Sequence, residues 1–180
     1  SGAIYCFAAK HETEPVVHRP EHNDALFDDG EEVAKAAAEI IDKSGVTEGY
    51  CVDLGCGDGQ LAYELSTQSD RYVVAIDADP TNVASARRKL NEAGLYGNRV
   101  TVHTGDPATT HLPKYFANLV VSSRSLGKGA SVVDEGEASR LQRPFGGVLC
   151  LGNAGSMTVS TRGPLEGAGE WTHMYSNPAN

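Results

Sequence analysis

Glycine occupies alternate positions 55, 57 and 59, between an apolar, β-prone run (Tyr50-Cys51-Val52-Asp53-Leu54) and a helical pattern that begins at Gln60. Strand, glycine turn and helix in that order constrain the chain more than any other feature. The glycines let the backbone bend sharply and let a ligand approach without a Cβ in the way. A strand that leads straight into a helix also needs a parallel partner, because the helix carries the chain back across the sheet.

The flanking sequence repeats the alternation. Val33, Ala36, Ala37, Ile40 and Ile41 recur at the spacing of one helical face, with Asp28 or Asp29 placed to cap the helix and Gly45 to end it. After a helix over residues 60–67, residues 71–76 (RYVVAI) read as a second buried strand ending in Asp77. Asp79-Pro80 then starts a helix: aspartate caps it, and proline at the first helical position gives up an N–H that has no partner there. Val83, Ala86, Arg87, Leu90 and Ala93 carry that helix to a stop at Gly94. Residues 99–103, 119–122 and 147–151 read as three further strands, and a short helix over 134–142 ends before Pro144. Short apolar β runs separated by helices predict a doubly wound α/β fold. Its sheet is mainly parallel, of at least five strands, with helices on both faces and right-handed crossovers.

Ligands of open α/β sheets bind outside the carboxyl ends of the strands. The turn here has the spacing G-x-G-x-G; a dinucleotide fold wants its third glycine one place later, where this chain has Gln60. Asp58 inside the turn sits poorly beside a pyrophosphate and tolerably beside a sulfonium and an ammonium. Asp77, 18 residues past Gly59, is placed to accept both ribose hydroxyls. At the end of the third strand, residues 104–108 (TGDPA) offer an acid that can accept from an adenine amine. A nicotinamide-dependent oxidoreductase ranks below other readings because of Gln60 and Asp58.

Five segments, VDLGCGDG (52–59), VVAIDADP (73–80), TGDPA (104–108), LVVSS (119–123) and RPFGGVLCLG (143–152), resemble the successive motifs of class I S-adenosylmethionine-dependent methyltransferases in their order and spacing. The resemblance covers roughly residues 30–152. It implies a Rossmann-like domain that binds S-adenosylmethionine, releases S-adenosylhomocysteine and transfers a methyl group to an acceptor it does not name. By the same resemblance Asp53, Gly55, Cys56 and Gly57 shape the methionine end, Asp77 holds the ribose and Ala78 flanks the adenine. Gly105, Asp106 and Pro107 form the adenine turn, with Asp106 on the amine, and Ser122 lies beside the methyl group. Gly59 is read as a requirement of helix packing rather than a ligand contact.

The chain departs from the family in three places. Residues 122–125 are Ser-Ser-Arg-Ser, not the acidic-Pro-Pro-aromatic element of amino-methylating nucleic-acid enzymes, and no aspartate follows that strand to begin a magnesium site of the catechol type. Neither base methylation nor metal dependence is implied, and no catalytic residue is assigned. The family also ends with two more strands at an antiparallel edge, whereas only residues 157–161 (MTVST) supply one here, so the sheet is expected to be shortened at its C-terminal edge.

Residues 2–10 and 169–180 are similar to the last strand and the opening of repeats in β-propellers of the pyrroloquinoline-quinone-like type. That resemblance implies a domain inserted in a larger propeller protein, and divides the chain into a strand and linker (1–29), the Rossmann-like domain (30–152) and a C-terminal arm (153–180). It leaves a rival reading open: a non-catalytic module that binds S-adenosylmethionine or S-adenosylhomocysteine and regulates an attached propeller.

Charge and composition narrow the partners. A net charge of −9 argues against broad binding to nucleic acid, which needs basic surface, and no apolar run approaches the roughly 20 residues of a membrane span. Cys6, Cys51, Cys56 and Cys150 lack metal-ligand spacing, and the six histidines lack acids or cysteines at such spacing. Cysteines read as reduced point to the cytoplasm, with export of a larger parent left open.

Overall fold

The computed structural model describes residues 26–27 and 30–167. The β-prone run at 2–9, the linker, the capping aspartates 28 and 29 and the arm from residue 168 onward lie outside the described residues.

Twelve elements follow in the order α1 (Gly30–Ser44), β1 (Glu48–Leu54), α2 (Gln60–Thr67), β2 (Asp70–Asp77), α3 (Pro80–Glu92), β3 (Val100–Thr104), β4 (Leu119–Val121), α4 (Ser125–Lys128), a 3-10 turn (Ala130–Val132), α5 (Glu135–Leu141), β5 (Val148–Leu151) and β6 (Thr158–Thr161). The local signals act as expected. The Asp79 carboxylate accepts from the Thr81 N–H at 2.8 Å to open α3, and Asp134 accepts from the Glu137 N–H at 2.7 Å to open α5. At the far end of α1, the Gly45 N–H closes the last turn onto the Ile41 carbonyl at 3.0 Å.

The strands form one six-stranded sheet in the order β3-β2-β1-β4-β5-β6. All neighbours are parallel except β5 and β6, which run antiparallel with Val148 opposite Thr161 and Leu151 opposite Thr158. The expected edge strand therefore exists, and the sheet continues past residue 152 to Thr161. Strand order reverses between β1, which turns toward β2, and β4, so a crevice opens at the carboxyl ends of these strands.

Side chains alternate between two cores because successive strand residues face opposite ways. Cys51, Val73, Ala75, Val100, Val102, Leu119 and Val121 pack against α1, α2 and α3 through Ala37, Ile40, Leu61, Leu65, Val83 and Leu90. Val52, Leu54, Ile76 and Val120 face the other way, onto Ala138 and Leu141 of α5. No helix lies between β3 and β4, so this second face is thinly covered beyond β1. Tyr50 and Tyr72 remain half exposed there, with ring centroids 5.9 Å apart, and Phe116 packs on Tyr50 at 4.8 Å. No described helix is long and apolar enough to cross a membrane.

Candidate functional site

The glycine turn folds back over the end of β2. Gly55 N–H and Cys56 N–H both donate to the Ile76 carbonyl, at 2.8 and 3.0 Å, which holds the turn against the strand that carries Asp77. Gly55 has φ +82°, a conformation that favours glycine, and the Arg124 side chain packs on it, with Nε 2.5 Å from where a Cβ would stand. Gly59, with φ +85°, has a different role: its Cβ would meet the Ala86 Cβ of α3 at 3.0 Å. It sits where two helices pack and does not line the cleft.

The crevice is a cleft of about 380 Å³, inside the roughly 300–1,000 Å³ range of small-molecule sites. The turn residues Gly55, Cys56, Gly57 and Asp58 form its floor, Asp77 and Asn82 one side, and Ser123, Arg124 and Lys128 the other. Burial pushes the Cys56 thiol well up, so it is a packed thiol rather than a ready nucleophile.

Asp77 is only 2 % exposed and is the hub of the site. Its Oδ2 accepts from Gly57 N–H at 2.9 Å; its Oδ1 accepts from Asp79 N–H at 2.9 Å and Asn82 Nδ2 at 3.3 Å. Arg124 Nη2 lies 3.9 Å from Oδ2. Backbone donors thus fix the carboxylate at the strand end. Ala78 follows, exposed.

A second, smaller cavity of about 60 Å³ lies against Leu54, Asp106, Pro107, Ala108 and Val133. The Asp106 Oδ1 accepts from the Ala108 N–H at 2.9 Å, which rigidifies the turn, and Gly105 N–H donates to the Asp77 carbonyl at 3.0 Å. Arg124 lines both cavities.

A family model described as a methyltransferase domain matches residues 51–140, which is half of the chain. The chain belongs to the methyltransferase domain family. Among solved structures, this methyltransferase domain is similar to a Methanococcus maripaludis protein assigned as an S-adenosyl-L-methionine-dependent methyltransferase. Identity is 28%, over 72% of this chain and 57% of that one, with a TM-score of 0.63. It also shares its fold with YcgJ of Bacillus subtilis (19% identity, 64% and 49% covered, TM-score 0.56). A third fold match is geranyl diphosphate methyltransferase, solved in complex with SAM (19% identity, 65% and 47% covered, TM-score 0.53). The chain thus spans about half the length of these structures. No curated protein matches it by sequence.

Two residues named by the resemblance are buried and do not line the cleft. Ser122 was expected beside the methyl group, but it is buried beneath the cleft and its hydroxyl donates to the Leu54 carbonyl at 2.5 Å. It continues the strand alternation inward, and Ser123 is the serine on the cleft wall. Asp53, expected to shape the methionine end, is fully buried and does not line the cleft. It acts from below: its two oxygens accept from Ser123 N–H at 2.8 Å and Ser123 Oγ at 2.6 Å, which ties β1 to the chain leaving β4 and so places Arg124.

Burial raises the Asp53 carboxyl from its ordinary 3.8 to about 6, against the lowering effect of the Ser123 hydrogen bonds. The folded protein therefore binds this proton more tightly than the unfolded chain. The group's contribution to stability is full below about pH 4 and is lost as pH rises through about 6, a change of up to about 3 kcal/mol. Asp53→Asn is expected to remove that slope while Ser123 keeps a partner. Denaturant unfolding at pH 4 to 8 checks it: the stability difference between the two proteins should shift toward the variant as pH rises, and parallel curves would count against the assignment.

Arg124, Lys128 and Asn82 were not singled out by motif reading, whereas Ser123 closes the LVVSS segment and does line the cleft. A lone arginine three residues past an apolar strand end was the one available signal for Arg124.

Proposed function

We propose that this domain binds S-adenosylmethionine in the cleft at the ends of β1, β2 and β4 and transfers its methyl group to an acceptor. The observation that carries the reading is the Asp77 carboxylate, buried at the end of β2 beside a glycine turn that a ligand can approach. The residues present suit this cofactor. Gln60 Nε2 is a buried donor on a residue of the cleft wall and has no hydrogen-bond partner among the described residues, leaving it to be satisfied by an acceptor atom.

When bound, the cofactor would supply an electrophilic methyl group on a sulfonium. Asp77 would accept the ribose hydroxyls, and the turn at Gly55 and Gly57 would admit the backbone-close part of the ligand. Asp106 would accept the adenine amine in the second cavity. Methyl transfer to a good nucleophile requires chiefly in-line alignment, so the protein's work is to hold the donor and exclude water. Among the described residues no group of three or more His, Cys, Asp or Glu is placed to hold a metal ion.

Isothermal titration with S-adenosylmethionine and S-adenosylhomocysteine tests the reading, with micromolar binding expected; no heat up to millimolar ligand would overturn it. The non-catalytic alternative, a nucleotide-sensing module attached to a propeller, draws on the small core and on residues 122–125, Ser-Ser-Arg-Ser, which carry no subclass signature. Transfer of labelled methyl that disappears in Asp77→Asn would exclude it.

A further inference from the structure

We propose that Arg124 is a displaceable cover of the cofactor cleft, lying across the cofactor's path and leaving Asp77 when ribose hydroxyls arrive. The inference rests on the cofactor reading above. Three features of the site lead to it.

The first is position. The Arg124 side chain lies directly on Gly55, with Cγ, Cδ and Nε all within 2.8 Å of where a Cβ on that glycine would be. Among the described residues it is the one that lines both the cleft and the Asp106 cavity. A ligand that reaches from the glycine turn past Asp77 to Asp106 has to cross the place this side chain fills.

The second is the capacity of Asp77. A carboxylate offers about four acceptor sites. They face Gly57 N–H, Asp79 N–H, Asn82 Nδ2 and Arg124 Nη2. The two backbone donors belong to the turn and the start of α3 and stay. The three hydrogen bonds leave one side of the carboxylate for incoming hydroxyls, the side that Arg124 faces from 3.9 Å with a side chain 41 % exposed and held there by charge alone.

The third is that Arg124 is free to leave. Its backbone stands at the start of α4, anchored through Ser123 on Asp53, while its guanidinium reaches solvent on one side. A partly exposed ion pair is screened by salt, so the cover should loosen as ionic strength rises.

The test compares wild type, Arg124→Ala and Arg124→Lys as the full 180-residue chain. Without ligand, amide hydrogen exchange across residues 55–59 should be faster in Arg124→Ala, because the side chain no longer covers the turn. With S-adenosylhomocysteine in stopped flow, Arg124→Ala should associate about fivefold faster than wild type, the scale of one partly exposed ion pair, with the lysine variant between them. Wild-type association should also speed up with added salt, and that of Arg124→Ala should not. Binding by Arg124→Ala alone would support the proposal in a stronger form, with the arginine locking the site.

Equal association rates, or unchanged exchange at 55–59, would overturn the cover and leave the cofactor reading standing. A slower or weaker Arg124→Ala would overturn it too, making Arg124 a ligand contact. Absence of binding by all three proteins would overturn both.

Discussion

Asp77→Asn is expected to weaken S-adenosylhomocysteine binding by roughly 100-fold or more. Two hydrogen bonds from ribose hydroxyls to a carboxylate contribute about 1.5–3 kcal/mol each, and every 1.4 kcal/mol is tenfold in affinity. The substitution also turns one acceptor toward a donor. Gly57 N–H and Asp79 N–H point at different oxygens of Asp77, so an amide nitrogen must face one of them. A loss of stability of about 1–2 kcal/mol should accompany the loss of binding. Titration calorimetry measures the first effect and denaturant unfolding the second; circular dichroism establishes that the variant is folded under the binding conditions. Affinity within threefold of wild type in a folded variant would remove Asp77 from the ribose.

Arg71→Met is expected to stabilise the protein by roughly 1–3 kcal/mol, an unusual sign for a core substitution. Arg71 stands near the start of β2 with no exposed surface, and Nε, Nη1 and Nη2 have no hydrogen-bond partner among the described residues. Its neighbour across the ladder is Gly49 and the nearby ionisable group is the buried Cys51 thiol, neither of which offers a carboxylate. Burial lowers its pKa from the usual arginine value, the direction expected where charge is disfavoured. Methionine fills a similar volume with a flexible apolar chain and no unmet donors. For a domain of this size each kcal/mol moves the melting temperature by about 2–4 °C, so a rise of several degrees is the expected readout in a thermal scan. A fall would mean that the guanidinium has an anionic partner, and charge-neutral Arg71→Gln would then be destabilising as well.

The elements that read most clearly from sequence share a local cause. Asp79-Pro80 opens α3 by a hydrogen bond two residues long, and the glycine at 45 ends α1 within one turn; neither depends on the rest of the fold. The parallel strands were legible because their carboxyl halves are buried on both faces and read as apolar runs, at Cys51–Leu54 with Asp53 the exception, Val73–Ile76 and Leu119–Val121. Asp77 and Asp106 were placed from sequence because one closes β2 and the other lies two residues past the end of β3.

Ser122 and Asp53 show where that reasoning stops. A strand residue's neighbours across the sheet are set by pairing between distant segments, here Asp53 of β1 opposite Val121 of β4, and the chain just beyond that pair decides which serine reaches Asp53. A one-residue step reverses the facing of a side chain, so Ser122 goes under Leu54 and Ser123 comes up onto the cleft wall.

By itself the sequence determined what is local or periodic: the alternation of strand and helix, the caps, the glycine turn and an acid at the end of β2. That Arg71 is enclosed in the core with no hydrogen-bond partner among the described residues, and that Arg124 lies across Gly55 against Asp77, emerged only once the chain was folded. Both depend on contacts between segments far apart in the chain, and a long side chain's position is set by the space those segments leave rather than by its own neighbours in sequence.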